Sequence, residues 1–152
     1  MNVREAILDA MKTSMRAGNA PRTSTLRMVM AKLKDTDIAA RPKGITAIPD
    51  DEIMAMLRGM VKSRRESVEL YATGNRPELA AKEEAEIAVI EEFLPKAMDE
   101  AALIAVVDAA IAASGAQSVK EMGKVMAALK SAHGAALDMA RAGALVRSRL
   151  AA

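Results

Sequence analysis

The sequence predicts an all-α protein, and three observations support this prediction. Hydrophobic residues recur at helical spacing along most of the 152-residue chain. Tyr71 and Phe93 are its only aromatic residues, so a hydrophobic interior has to be built from Ala, Leu, Ile, Val and 12 Met. Small and flexible side chains of this kind suit helix-on-helix packing better than sheets. We therefore expect helical bundles and no sheet that stacks nucleic-acid bases.

Four helices are predicted in residues 1–95. Asn2 suits an N-cap, with Glu5 three residues later, and Gly18 ends the first helix. Pro21 suits the first turn of the second helix, and Asp50 is expected to cap the third. The predicted helices span 3–17, 21–40, 50–73 and 77–94, with an irregular segment at 41–49.

Three shorter helices are predicted in residues 96–152. Pro95 ends the fourth helix, because the residue before a proline is pushed out of helical geometry. Asp99 is expected to cap the next helix, while Ser118 and Glu121 form the pattern of a capping box. The predicted helices span 100–113, 118–132 and 138–151. The expected architecture is two unlike helical bundles, with four helices in residues 1–95 and three in residues 96–152.

The charges are unevenly distributed, although the formal net charge is only +2. Residues 1–48 carry nine Lys or Arg against four Asp or Glu, and residues 101–152 carry six against three. Residues 49–100 carry seven against thirteen, so two basic ends flank an acidic middle. This pattern is typical of a nucleic-acid-binding surface, but oppositely charged segments that pair with one another would produce it as well.

The composition also bears on compartment. The chain contains no cysteine, which excludes disulfides and thiolate metal sites. The first residues are charged and lack the long apolar core of a signal peptide. No segment reaches the roughly 18 apolar residues that a membrane span needs. We expect a soluble cytoplasmic protein without a membrane partner.

Reactive side chains do not converge in the sequence. His133 is the only histidine and stands at the end of a predicted helix, where a capping role is more common than a catalytic one. The glutamates of the fourth predicted helix fall on a solvated face, and no phosphate-binding loop, dinucleotide fingerprint or nucleophile elbow is present. We therefore predict no catalytic residue, no metal site and no cofactor.

The basic residues of the C-terminal bundle are the main candidate for a binding surface, because few acidic residues compete with them. An RNA backbone is the partner that such a set suits. The candidate RNA-binding residues are Lys120, Gly123, Lys124, Lys130, Arg141 and Arg147.

A second, smaller basic set lies near the start of the second helix. Cations and hydroxyls at a helix N-terminus suit phosphate contacts. The set consists of Arg22, Arg27 and Lys34, beside the hydroxyls of Thr23, Ser24 and Thr25. Arg64 and Arg65 are expected instead to pair with the acidic fourth helix, because so many carboxylates follow them.

Gly123 is unusual within the predicted sixth helix, since glycine costs about 1 kcal/mol relative to alanine in a helix interior. A missing side chain allows another backbone to approach closely. The neighbour is either a packed helix or a sugar-phosphate backbone, and the helix composition does not decide between the two. Lys120 and Lys124 project on the same side and would make the opening positive.

Three segments make the chain resemble the GatB/YqeY family: "STLRMVMAKLKD" (24–35), "KSRRESVELYATGNRPELAAKEEAEIAVIEEFLP" (62–95) and "SVKEMGKVMAALK" (118–130). The resemblance implies a fold of two unlike helical bundles. It also implies one of two settings, a small stand-alone protein or the tail of the B subunit of tRNA-dependent amidotransferase. That enzyme amidates Glu-tRNA or Asp-tRNA, and its tail helps to hold the tRNA.

The resemblance further implies that the "GKVM" segment (123–126) belongs to an RNA-facing helix, with Gly123 and Lys124 as contacts. The leading hypothesis is therefore a tRNA-binding accessory protein without its own catalytic site. One alternative is a module that docks on an amidotransferase or an aminoacyl-tRNA synthetase. Another is the family's inherited role of carbon–nitrogen ligase with glutamine as amido donor, although the amidating domain is not in these 152 residues.

Overall fold

The computed structural model describes residues 1–96, 98–134 and 137–151, and the described residues form helices and turns without a strand. This confirms the prediction of an all-α protein. The α-helices are α1 (Val3–Arg16), α2 (Ala20–Ala40), α3 (Asp50–Thr73), α4 (Pro77–Glu91), α5 (Glu100–Ser114), α6 (Met122–His133) and α7 (Met139–Ala151). Two short 3-10 helices, Arg41–Lys43 and Val119–Glu121, lie between them.

The chain separates into two compact units, Met1–Leu94 and Pro95–Ala152, which we call the N-terminal unit and the C-terminal unit. Helices α1 to α4 belong to the first and α5 to α7 to the second. Each unit has a hydrophobic core of its own.

Several helices begin as the sequence predicts. Asn2 Oδ1 accepts a hydrogen bond from Glu5 N at 2.8 Å, and Glu5 Oε2 accepts one from Asn2 N at 3.2 Å, which completes a capping box. Asp99 Oδ1 accepts from Ala102 N at 2.7 Å and caps α5. These bonds satisfy amide groups that have no partner inside the helix.

The predicted capping box at Ser118 and Glu121 is wrong. The Ser118 side chain makes no capping bond, and the Glu121 carboxylate accepts from the backbone of Gln117 instead. Residues Val119–Glu121 form a 3-10 turn, and α6 begins only at Met122. Glu121 thus closes the turn before the helix, so the helix starts four residues later than predicted.

Two other boundaries differ from the prediction. Asp50 is the first residue of α3 rather than its cap, and its Oδ2 accepts a hydrogen bond from Val3 N at 3.3 Å. Pro49 occupies the cap position. Helix α4 ends at Glu91, and the chain turns through residues 92–94 before Pro95.

The N-terminal unit has an aliphatic core. Ile7, Val29, Ile53, Leu57 and Ile90, from all four helices, are fully buried. Burial of each such side chain stabilises the fold by about 1.5–3 kcal/mol. The segment between α2 and α3 adds Ile48, which is 3% exposed, so this irregular stretch is anchored in the core.

The core of the C-terminal unit is smaller. Leu103 and Val107 of α5, Val125 and Leu129 of α6, and Val146 of α7 are buried together. Since α6 turns Val125 and Leu129 inward, its opposite face is left for solvent or a partner.

Candidate nucleic-acid interface

Helix α6 presents a face that is free of acidic residues. Its sequence, MGKVMAALKSAH, contains no Asp or Glu. Val125 and Leu129 are buried, and the opposite side of the helix is exposed. We call this surface, together with Lys120, the α6 basic face; its exposed residues are Lys120, Gly123, Lys124, Ala127, Lys130 and Ser131.

The lysines of the α6 basic face lack an ion-pair partner in the part of the chain that the structure describes. Lys120, Lys124 and Lys130 are exposed and form no ion pair with the described residues. Arg147 on α7 has the same status. Uncompensated cations at a surface attract anionic partners over about 10 Å at ordinary ionic strength.

Arg141, the remaining candidate, already has partners inside the unit. Its Nη2 lies 3.0 Å from Glu100 Oε2, and its Nη1 donates to the carbonyl of Met98 at 3.4 Å. Arg149 similarly pairs with Asp108 at 3.3 Å. These two arginines help to hold α7 against α5 and the segment before it, so they are less available to a partner than the lysines.

Gly123 is exposed, and a Cβ atom added there would meet no described atom within 4 Å. Within the described part of the unit, no packed helix therefore explains the presence of this glycine. The glycine that does face a neighbouring helix is Gly143 of α7, which is buried. An added Cβ there would lie 3.6 Å from Met122 Cε and 3.7 Å from Met126 Cε. No signal in the local sequence distinguishes these two glycines.

Only part of the second basic set is available to contact a binding partner. Arg22 Nη1 lies 2.6 Å from Glu92 Oε2, whereas Arg27 and Lys34 are exposed and unpaired among the described residues. Thr23 and Thr25 are buried and bond to the backbone carbonyls of Asn19 and Pro21. Of the three predicted hydroxyls, Ser24 alone is exposed.

Arg64 and Arg65 pair with α4, as the sequence predicts. Arg64 Nε lies 2.9 Å from Glu86 Oε2, and the Arg65 guanidinium contacts the Glu91 carboxylate. The acidic charge of α4 is thus partly neutralised within the N-terminal unit. These arginines belong to the fold and leave the α6 basic face as the stronger candidate.

Asp37 is a partly buried acidic residue to which the sequence did not point. Its carboxylate pairs with Arg4 and accepts a hydrogen bond from Ile48 N. The hydrogen bonds from Arg4 lower the pKa of Asp37 and raise that of Arg4, although burial opposes both shifts. This ion pair ties three segments of the N-terminal unit together and has a structural role.

The described residues contain neither a cluster of metal-binding side chains nor a single helix that could cross a membrane. Within residues 1–96, 98–134 and 137–151, no three His, Asp or Glu side chains lie close enough to hold a metal ion. His133 is the last residue of α6, as predicted. No single helix in these ranges is long and apolar enough to cross a membrane; Glu100–Ser114 and Val119–His133 reach that length and composition only together, as a pair bent by 93°.

Comparison with known proteins identifies a family and relatives of this chain. The profile of the family described as Yqey-like protein matches residues 4–150. An uncharacterized protein of Schizosaccharomyces pombe is 26% identical over 94 residues, which cover 62% of this chain and 70% of the relative.

A second relative is described as altered inheritance of mitochondria protein 41, mitochondrial, from Pyrenophora tritici-repentis. It is 28% identical over 83 residues, which cover 55% of this chain and 44% of the relative, so the match spans less than half of that protein. Because this relative is described as mitochondrial, a cytoplasmic location for the present chain stays a prediction. Since the family match extends over nearly the whole chain, the protein belongs to the Yqey-like protein family.

Proposed function

We propose that this protein is an RNA-binding accessory module that holds tRNA through the α6 basic face and has no catalytic site of its own. The observation that carries the proposal is that Lys120, Lys124 and Lys130 are exposed and unpaired among the described residues, on and beside a helix that contains no Asp or Glu. Glu121, next to Lys120, is engaged with the backbone amide of Gln117. Arg147, which is also exposed and unpaired among the described residues, adds a fourth cation in the same unit.

The shape of the face supports contact with a phosphate backbone. Gly123, Ala127 and Ser131 follow one another at four-residue steps along the exposed side of α6, so short side chains line it. Lysines flank this line, and the space above Gly123 is open. A sugar-phosphate chain can approach such a surface closely while the ammonium groups reach its oxygens.

The chemistry of the face favours backbone contacts over base recognition. Single-stranded bases are usually held by stacking on aromatic rings. Tyr71 and Phe93, the only aromatic residues of the chain, both lie in the N-terminal unit. The C-terminal unit therefore offers charge and close approach without stacking, which suits the folded, double-helical parts of tRNA.

Electrostatic binding of this kind predicts a defined salt dependence. Each neutralised phosphate contributes about −0.7 to −0.9 to the slope of log affinity against log salt, so four contacts give a slope of about −3. Affinity should then fall roughly 60-fold for a fourfold rise in salt. We expect this behaviour in fluorescence-anisotropy titrations of labelled tRNA with the full chain.

Charge reversal provides the direct test. The double variant Lys120→Glu/Lys124→Glu should reduce tRNA affinity by at least tenfold and flatten the salt slope by about 2. The matched control is Lys12→Glu/Lys62→Glu, which changes the net charge equally at two exposed positions of the N-terminal unit. Equal losses in both double variants, or no tRNA binding even at low salt, would reject the proposal.

Two further experiments separate this proposal from protein docking and from catalysis. If tRNA does not bind but the chain retains an amidotransferase or an aminoacyl-tRNA synthetase after nuclease treatment of a lysate, the module acts through protein contacts. If the purified chain alone amidates mischarged tRNA, the carbon–nitrogen ligase hypothesis replaces both.

A further inference from the structure

A groove in the N-terminal unit lies between the first turns of α2 and one face of α4. Its volume is about 350 Å³, near the lower end of the range for small-molecule pockets, about 300–1,000 Å³. The α4 side of the groove is formed by Lys82, Ala85, Glu86 and Val89. Their spacing places these four side chains on a single stripe of the helix.

The floor of the groove is mostly apolar. Its apolar lining residues are Pro21 of α2 and Ala85 and Val89 of α4. Thr25 also lines the groove, but its hydroxyl is engaged with the carbonyl of Pro21, at 3.3 Å. An aliphatic or aromatic body of modest size would remove this surface from water.

The charges around the groove leave one positive charge uncompensated. Glu86 lines the groove, but Arg64 lies 2.9 Å from its carboxylate. Arg22 lines the opposite side and is paired with Glu92 at 2.6 Å. Lys82 is exposed and forms no ion pair with the described residues.

Ser24 supplies a second free donor. It lines the groove, is exposed, and makes no side-chain hydrogen bond within the described part of the chain. An ammonium group and a hydroxyl beside an apolar floor match one kind of ligand, a carboxylate joined to an apolar body. A dianion would leave one charge unpaired beside the glutamates, and a cation would meet Lys82 unfavourably.

We propose that the groove between α2 and α4 binds a small monocarboxylate with an apolar body. Lys82 Nζ and Ser24 Oγ donate to the carboxylate, and Pro21, Ala85 and Val89 contact the body. This site belongs to the N-terminal unit, whereas the proposed tRNA contacts belong to the C-terminal unit. The inference therefore stands or falls independently of the proposed function.

The test uses three probes with the same six-carbon body and different head groups: hexanoate, 1-hexanol and hexylamine. Each is titrated into the isotope-labelled full chain and followed by amide chemical shifts. Hexanoate should shift the signals of Ser24, Thr25, Ala85 and Val89 in a saturable way. It should bind about tenfold more tightly than 1-hexanol, because a charge-assisted hydrogen bond is gained, and hexylamine should bind most weakly.

A matched pair of variants assigns the effect to the groove. Lys82→Met keeps the length of the side chain and removes its charge, so hexanoate binding should weaken about tenfold while 1-hexanol binding stays unchanged. Lys62→Met, on the exposed side of α3, should leave both unchanged. Ala85→Trp fills the groove and should abolish binding of all three probes, with an otherwise native amide spectrum as the check on folding.

Any of four results would overturn the proposal. Hexanoate produces no saturable shift up to its solubility limit, or its shifts map outside the groove. Hexanoate and 1-hexanol bind equally well. Lys82→Met and Lys62→Met weaken hexanoate binding to the same extent.

Discussion

Arg4 and Asp37 form a two-point ion pair that joins the start of α1 to the end of α2. Arg4 Nη1 lies 2.8 Å from Asp37 Oδ2, and Arg4 Nη2 lies 2.9 Å from Oδ1. Asp37 Oδ1 also accepts from Ile48 N at 2.9 Å, and Arg4 Nη2 donates to Ile48 O at 3.3 Å. One carboxylate and one guanidinium thereby hold the segment that brings Ile48 into the core.

Replacement of Asp37 by alanine should destabilise the N-terminal unit by about 2 kcal/mol. The variant leaves the partly buried Arg4 guanidinium and the Ile48 amide without their acceptor, and a lost hydrogen bond to a charged group costs about 1.5–3 kcal/mol. The Asp37 side chain is only 16% exposed, so water replaces the lost contacts poorly. Urea unfolding followed by circular dichroism measures the change. Asp35→Ala, at an exposed position on the same helix, should stay within about 0.5 kcal/mol of the parent; an equal loss there would contradict the role given to Asp37.

The same ion pair predicts a pH dependence. The pKa of Asp37 is lowered from its usual 3.8, mainly by the hydrogen bonds from Arg4. The folded state therefore binds the proton less readily than the unfolded state. The stabilisation is fully present above the usual pKa and is lost as the pH falls through the lower, folded value.

Comparison with Asp37→Asn isolates this contribution, because the other carboxylates titrate in both proteins. The difference in unfolding free energy between parent and variant should be constant above about pH 5 and shrink as the pH falls below about 4. Urea titrations at a series of pH values measure it. A difference that grows with acidification would show that the sign of the pKa shift is wrong.

The features of the fold that the sequence predicted are those that depend on the spacing of residues close together in the chain. Hydrophobic periodicity and the caps at Asn2 and Asp99 placed most helices within a few residues. The start of α6 was missed because the Glu121 carboxylate accepts from the backbone amide of Gln117 rather than from that of Ser118. The spacing of residues alone does not show which nearby backbone amide a side chain will bond.

Contacts between distant residues were harder to predict. The pairing of Arg64 and Arg65 with α4 followed from the abundance of carboxylates there. Nothing local connects Arg4 with Asp37, which are 33 positions apart. The candidate RNA-binding residues were proposed as a set, but the sequence did not reveal that one of them, Arg141, is engaged with Glu100.

Arg64 and Arg65 are neighbours in sequence whose ion pairs should differ in energetic value. The Arg64–Glu86 side chains are 16% and 14% exposed, and Arg64 also donates to the carbonyl of Met60. The Arg65–Glu91 side chains are 65% and 44% exposed. Arg64→Met should cost about 2 kcal/mol, because it leaves a largely buried carboxylate unpaired. Arg65→Met should cost less than about 0.5 kcal/mol, since water screens an exposed pair. Thermal and urea unfolding of the two variants test this order, and the reverse order would refute it.

Substitutions at Gly123 of α6 and Gly143 of α7 should affect stability and tRNA binding differently. Gly123→Leu adds a side chain that points into open space, so unfolding should stay within about 0.5 kcal/mol of the parent or become slightly less favourable, given the low helix propensity of glycine. Gly143→Leu forces a side chain against the methyl groups of Met122 and Met126, which costs about 1–3 kcal/mol.

The two substitutions should have the opposite order of effects on tRNA binding. At temperatures where both variants are folded, Gly123→Leu should weaken binding at least fivefold, because the new side chain holds a backbone away from Lys120 and Lys124. Gly143→Leu should retain near-parental affinity, since Gly143 is buried and cannot touch a partner directly. Anisotropy titrations beside unfolding curves measure both properties on the same samples. Undiminished tRNA binding by a folded Gly123→Leu variant would remove close backbone approach from the proposed mode of binding.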